Sequence, residues 1–170
     1  MKQIAKFQKV SFVQFQKDIE EFLLEPQALK TAYDALQLPG RATKGSAGYD
    51  FFMPMDLVLD PGESVKIPTG IRAFIEEGWV LKCYPRSGLG FKYRLQLNNT
   101  VGIIDSDYYF SSNEGHIQAK ITNDSKDGKS LKLSKGEGFM QGIFVEYGIT
   151  FDDECEKRRD GGFGSTTIKK

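Results

Sequence analysis

The chain has 170 residues, 39% of them hydrophobic, with 23 Lys plus Arg against 23 Asp plus Glu and a single histidine. That length suits one domain with a substantial core. Zero net charge argues against a nonspecific nucleic-acid binder, so any phosphate binding has to come from local clusters of donors. The two cysteines, Cys83 and Cys155, lack CxxC spacing and suggest neither a disulfide framework nor a zinc site. No leader-like or membrane-length apolar run is visible, so a cytoplasmic chain without a membrane partner is expected.

Residues 2–10 suggest a short strand. From Ser11 to Leu38 the pattern is helical: Phe12, Phe15, Ile19, Phe22 and Leu23 recur at spacings of three and four, as do Leu29, Ala32, Tyr33 and Leu36. Ser11 suits an N-cap, Pro26 separates two short helices, and Pro39-Gly40 ends the second. Packing of this segment onto the domain is expected, with a partner-binding amphipathic helix as the alternative.

After Gly45 the texture changes to short β-branched and aromatic runs. Leu57-Val58-Leu59 stops at Asp60-Pro61-Gly62-Glu63, Val65-Lys66-Ile67 at Pro68-Thr69-Gly70, and Ile71 to Ile75 at Glu76-Glu77-Gly78. Trp79 to Tyr84, His116 to Ile121, Leu131 to Leu133 and Gly142 to Tyr147 follow. Many short strands with regular turns predict an all-β sandwich or barrel.

Some motifs mimic chemistry without its context. Asp127-Gly128-Lys129-Ser130 imitates the end of a P-loop, but Asn123 stands where a glycine is needed, so a charged turn is expected. Asp105-Ser106-Asp107 lacks the later residues of a calcium loop. His116 has no triad around it, and a surface or strand position is expected.

Other segments offer real donors. Pro85-Arg86-Ser87-Gly88-Leu89-Gly90 follows a strand and supplies a guanidinium, a hydroxyl and an approachable main chain; taken alone it reads as a turn. Gly102-Ile103-Ile104-Asp105-Ser106-Asp107-Tyr108 puts a carboxylate at a strand end, where it could orient or deprotonate a water. Ser46-Ala47-Gly48-Tyr49-Asp50 sets an acid beside a glycine that leaves room for a close neighbour. Gln141 follows a turn at Gly136 and Gly138. Arg158 to Thr167 combines Gly161, Gly162 and Gly164 with Ser165, Thr166, Thr167, Arg158, Arg159 and the lone aromatic Phe163. Composition alone favours a disordered terminus there; the alternative is a lid over a nucleotide.

The order of these five segments resembles the five motifs of the trimeric dUTP diphosphatase (dUTPase) family, over roughly Leu38 to Thr167. The resemblance implies a jelly-roll β-barrel, with residues 11–37 as an N-terminal helical insertion, 38–157 as the core and 158–170 as a closing tail of one 1–170 domain. It implies a homotrimer with sites shared between subunits, and hydrolysis of dUTP to dUMP and diphosphate with Mg2+. It casts Asp105 as the residue activating the water, and Tyr108 as the platform under the deoxyribose that excludes a 2′-hydroxyl. Asn99, with main-chain groups of Gly102, Ile103 and Ile104, would read uracil. Arg86, Ser87, Gly88 and Gln141 would bind phosphates, and Asp50 would hold a water on the Mg2+. Arg158, Gly164, Ser165 and Thr166 would grip the γ-phosphate while Phe163 covers the base.

Departures from the family pattern are also legible. Gly138 and Met140 stand where the fourth motif usually has Arg and Ala. Arg159 replaces a usual glycine, leaving either arginine as the γ-phosphate ligand. Gly115 comes seven positions after Tyr108 (115 − 108) instead of two, so 109–114 reads as an inserted loop, which brings Gln118 toward the uracil. Two other readings compete. A dCTP deaminase shares the barrel but needs a different catalytic acid and usually lacks this tail. A regulatory role would use residues 11–37 or 109–114 to bind a protein partner.

Overall fold

The computed structural model describes residues 2–22 and 25–155. In chain order these form β1 (Ala5–Lys9), α1 (Phe12–Asp18), a 3-10 turn (Glu20–Phe22) and α2 (Pro26–Asp34), followed by β2 (Tyr49–Phe52), β3 (Leu57–Leu59), β4 (Ser64–Pro68), β5 (Ile71–Ile75) and β6 (Trp79–Pro85). Then come α3 (Ser87–Tyr93), β7 (Leu95–Leu97), β8 (Gly102–Ile104), a second 3-10 turn (Ser106–Phe110), β9 (Gln118–Asn123), β10 (Leu131–Leu133) and β11 (Gly138–Glu146). The all-β expectation holds.

Every strand pairing is antiparallel. The groups run β2-β11-β6-β8, β4-β9-β7, β1-β5 and β3-β10. Alternation along the strands turns one face inward: Ala119, Ile121 and Asn123 of β9 are buried while Lys120 is exposed. Phe51, Ile67, Leu81, Ile121, Leu133 and Phe139 from different sheets meet in one apolar core. Each such side chain contributes about 1.5–3 kcal/mol on burial. No helix among the described residues is long and apolar enough to cross a membrane.

The N-terminal helices build a second, smaller core from Val10, Phe15, Ile19, Leu29 and Leu36. Ser11 caps α1 as anticipated, its side chain accepting from Gln14 N at 3.1 Å. Pro26 is the first residue of α2, where its missing N–H costs nothing. Tyr33 Oη donates to Val10 O at 2.7 Å, tying α2 to the end of β1. Among the described residues the buried stripe of this segment packs on the domain, while Val13 remains exposed.

Three local expectations change. The second helix ends at Asp34, not at Pro39-Gly40, because Gly40 leaves to form a bridge with Asp50. The segment after Pro85 is the helix α3, not a turn. Gly88 and Gly90 each cost about 1 kcal/mol there, but Leu89 and Tyr93, four apart, pack against the core, and Arg94 stops the helix at φ 50°. His116 is neither exposed nor on a strand: it is fully buried just before β9. Its two ring nitrogens find partners 46 and 98 residues away, which no local pattern encodes.

Candidate active site

Strand register gathers the phosphate-side residues. Asp50 of β2 lies opposite Gln141 of β11, and Gln141 lies opposite Tyr84 of β6, two residues before Arg86. Directly opposed residues share a sheet face, so Asp50 and Gln141 point together toward the end of β6. Arg86 closes the group. Its Nε lies 3.3 Å from Asp50 Oδ1, with the two side chains 44% and 20% exposed, and its Nη1 donates to Gly138 O at 3.3 Å. Gln141 Nε2 donates to Pro85 O at 3.4 Å.

Two glycines are spatial requirements of this cluster. A Cβ on Gly48 would meet Gln141 Oε1 at 2.7 Å, the close neighbour anticipated for that position. A Cβ on Gly138 would come within 2.8 Å of Arg86 Nη1. The guanidinium of Arg86 thus occupies space that a side chain at 138 would enter. Ser87 and Gly88, in the first turn of α3, are exposed and stand beside this group.

The second cluster lies between β6, β8 and β9. Asn99, Gly102, Ile103, Ile104 and Gln118 line a cavity of about 170 Å³, with Cys83, Ile117 and Met140 among its other walls. Whole-ligand pockets run to roughly 300–1,000 Å³, so this one suits a single planar ring. Burial pushes the Cys83 thiol up to about 12, so it stays neutral and acts as an apolar wall. The turn before β8 is held by Thr100 N donating to Leu97 O and Val101 N to Asn99 O. Gln118, which the inserted-loop arithmetic set beside Asn99 and Gly102, lines the same cavity as they do.

Asp105 directly follows β8, partly buried, its carbonyl accepting from Tyr108 N at 3.2 Å. Tyr108 is more deeply buried than Asp105. It is 4% exposed and packs in the main core rather than lining the cavity. Its hydroxyl donates to His116 O at 2.8 Å and accepts from Asn113 Nδ2 at 2.9 Å, so the inserted loop folds back over it.

The two clusters do not meet around Asp105 within one chain. Ile104 pairs with Leu81, which sets Asp105 level with Val80. Arg86 lies six residues further along, roughly 20 Å at about 3.3 Å per residue. Arg158, Phe163, Gly164, Ser165 and Thr166 lie outside the described residues.

The dUTPase family model matches residues 34–167. This chain belongs to the dUTPase family. A deoxyuridine 5′-triphosphate nucleotidohydrolase of Lactococcus lactis subsp. lactis is 40% identical over 134 residues, covering 77% of this chain and 88% of that protein. One from Psychromonas ingrahamii is 37% identical over 156 residues, covering 87% and 96%. The crystal structure of dUTPase from Streptococcus mutans superposes with a TM-score of 0.63 at 31% identity, covering 85% of this chain and 97% of that one. The jelly-roll expectation stands on this match, and the chain is a nucleotide hydrolase. A dUTPase from phage phi11 of S. aureus shares the fold at TM-score 0.64 and 21% identity.

Residue patterns alone missed Asp18, Ile117, Cys83 and Met140. The last three are apolar or neutral walls whose sequence signal is that of any core residue. Asp18 sits in the middle of the helical stretch expected from Ser11 to Pro26, where nothing in the pattern marks it out.

Proposed function

We propose that this dUTPase hydrolyses dUTP to dUMP and diphosphate in a site completed between chains of a homotrimer, keeping uracil out of DNA and supplying dUMP for thymidylate synthesis. The separation of Asp105 from Arg86 along β6 carries this reading: one chain offers a base pocket with its carboxylate, and a neighbour offers the phosphate donors.

Uracil enters the cavity, read by Asn99, Gln118 and the main chain of Gly102, Ile103 and Ile104, with a tight fit that rejects a 5-methyl group. Tyr108, packed behind the cavity wall and held at its hydroxyl, backs the sugar end so that it does not yield to a 2′-hydroxyl. Asp105 accepts a proton from water, whose oxygen attacks the α-phosphorus while the bond to the bridging oxygen of diphosphate breaks. Arg86, Ser87, Gly88 and Gln141 hold the phosphates. Arg158 or Arg159, with Gly164, Ser165 and Thr166, grips the γ-phosphate and Phe163 covers the base.

Magnesium fits as a passenger of the triphosphate. Among the described residues there is no group of three or more His, Cys, Asp or Glu able to hold a metal ion. Asp50 is a single, partly open carboxylate, which suits contact through a water to Mg2+ whose other ligands are phosphates. Bound there, Mg2+ would neutralise charge developing on the phosphate oxygens.

Diphosphate release from dUTP, dTTP, dCTP and UTP with Mg2+ tests the proposal. Turnover confined to dUTP is expected. Equal turnover of UTP contradicts the closed sugar end, and deamination of dCTP would move the chain to the related deaminases.

A further inference from the structure

The N-terminal helix reaches the base side of the site. Asp18, the last residue of α1, sets Oδ2 2.5 Å from His116 Nδ1. His116 Nε2 accepts from Gly70 N at 2.7 Å. A ring nitrogen that accepts carries no proton, so the proton sits on Nδ1 and is donated to the Asp18 carboxylate. Both edges of a fully buried ring are therefore fixed, one by α1 and one by the start of β5.

The residue so fixed joins the two specificity elements. Its own carbonyl accepts from Tyr108 Oη at 2.8 Å. The next two residues, Ile117 and Gln118, line the base cavity. Burial tends to raise the Asp18 carboxyl, but hydrogen bonds from His116, Gln14 and Gln118 outweigh it and hold the group below its ordinary value.

The same N-terminal stretch grips the inserted loop at two further points. Ser11 donates from N and Oγ to the Glu114 carboxylate at 2.8 and 2.6 Å. Tyr109 Oη donates to Gln8 Oε1 at 2.6 Å. The N-terminal stretch and the inserted loop are thus braced against each other.

We propose that Asp18 and His116 are a positioning pair through which α1 sets the base-and-sugar end of the nucleotide site. Affinity for deoxyuridine nucleotides depends on the pair, and the phosphate chemistry does not. The inference rests on the cavity being the uracil site.

The single histidine makes the test clean, because ¹⁵N-histidine labelling of the full chain yields one set of ring signals. The wild type is expected to show the neutral Nδ1–H tautomer, with signals that shift on dUMP addition. Asp18→Ala is expected to lose the protected Nδ1–H signal and to raise KM for dUTP and Kd for dUMP about tenfold, the loss of one hydrogen bond to a charged group. Its kcat is expected to stay within about twofold. Asp18→Asn keeps an acceptor for Nδ1–H and is expected to recover most of the affinity. Unchanged dUMP affinity in a folded Asp18→Ala protein overturns the proposal. So does an Nε2–H tautomer in the wild type, or a fall in kcat that matches the loss of folded protein in a thermal melt. A wild type that ignores dUMP instead defeats the uracil-site reading, whatever the tautomer.

Discussion

The proposed phosphate and base sides of this site are built by different means. Asp50, Arg86 and Gln141 stand at strand ends, placed by register and by one ion pair, and half of the Arg86 side chain remains open to solvent. The base side is a loop-and-strand arm held by distant partners, with His116 and Tyr108 buried and hydrogen-bonded on several sides. Open charge suits a ligand whose phosphates arrive with their own metal and must leave again. A braced, closed arm suits discrimination by one methyl or one hydroxyl, which needs walls that do not yield. The comparison predicts that damage to the two sides separates into effects on rate and effects on affinity.

The largest effect is expected at Asp105, the proposed reacting group, which acts on rate although it belongs to the base-side chain. Asp105→Asn keeps the shape but cannot take the proton, so kcat is expected to fall about 10²–10⁴-fold, with dUMP binding and assembly retained. Near-normal turnover would remove Asp105 from the chemistry.

Next in size is Arg86→Ala, which deletes the proposed phosphate donor and removes the Asp50 ion pair. A loss of about 10²–10³ in kcat/KM is expected, in the range of a single lost charge-stabilising donor. Binding of deoxyuridine, which has no phosphates, is expected to be unchanged; its loss would show that the two sides are not separable.

Gly138→Ala is a milder probe of the same side. The new Cβ displaces only the flexible tip of Arg86, so a drop of about three- to tenfold in kcat/KM with an unchanged melting temperature is expected. An unaffected enzyme would mean that the seat of Arg86 on Gly138 is irrelevant to phosphate binding.

The smallest effect is on stability at acid pH, and it falls on the base side. Asp18 and Glu114 are both held below their ordinary values of 3.8 and 4.5. Burial opposes this in each case; hydrogen bonds from His116 and Gln14 outweigh it at Asp18, and those from Ser11, with the Arg72 charge, outweigh it at Glu114. A carboxyl with a depressed folded value adds stability above its unfolded value and loses it as pH falls through the folded one. The arm should therefore loosen only below about pH 4.5, and Asp18→Asn should flatten part of that loss in acid melts.

Legibility in the sequence divides along the same line. Asp50, Arg86 and Gln141 each lie near a glycine or proline next to a β-rich run; the local pattern alone reads as turns, and the order of the five segments is what singled them out. The helix after Pro85 was hidden by Gly88 and Gly90, which look like breakers until Leu89 and Tyr93 find the core. The inserted loop could be counted from the spacing of Tyr108 and Gly115, but not its fold back over Tyr108. The bond from Asp18 to His116 spans 98 residues and joins an insertion to the arm, so no local periodicity could carry it.

The most direct test of a site shared between chains is to mix two inactive proteins. Asp105→Asn and Arg86→Ala chains, unfolded and refolded together, are expected to regain dUTP hydrolysis, because about a quarter of sites in randomly mixed trimers pair an intact Asp105 with a neighbour's intact Arg86. No recovery in mixtures shown by native mass spectrometry to contain both chains would contradict the account.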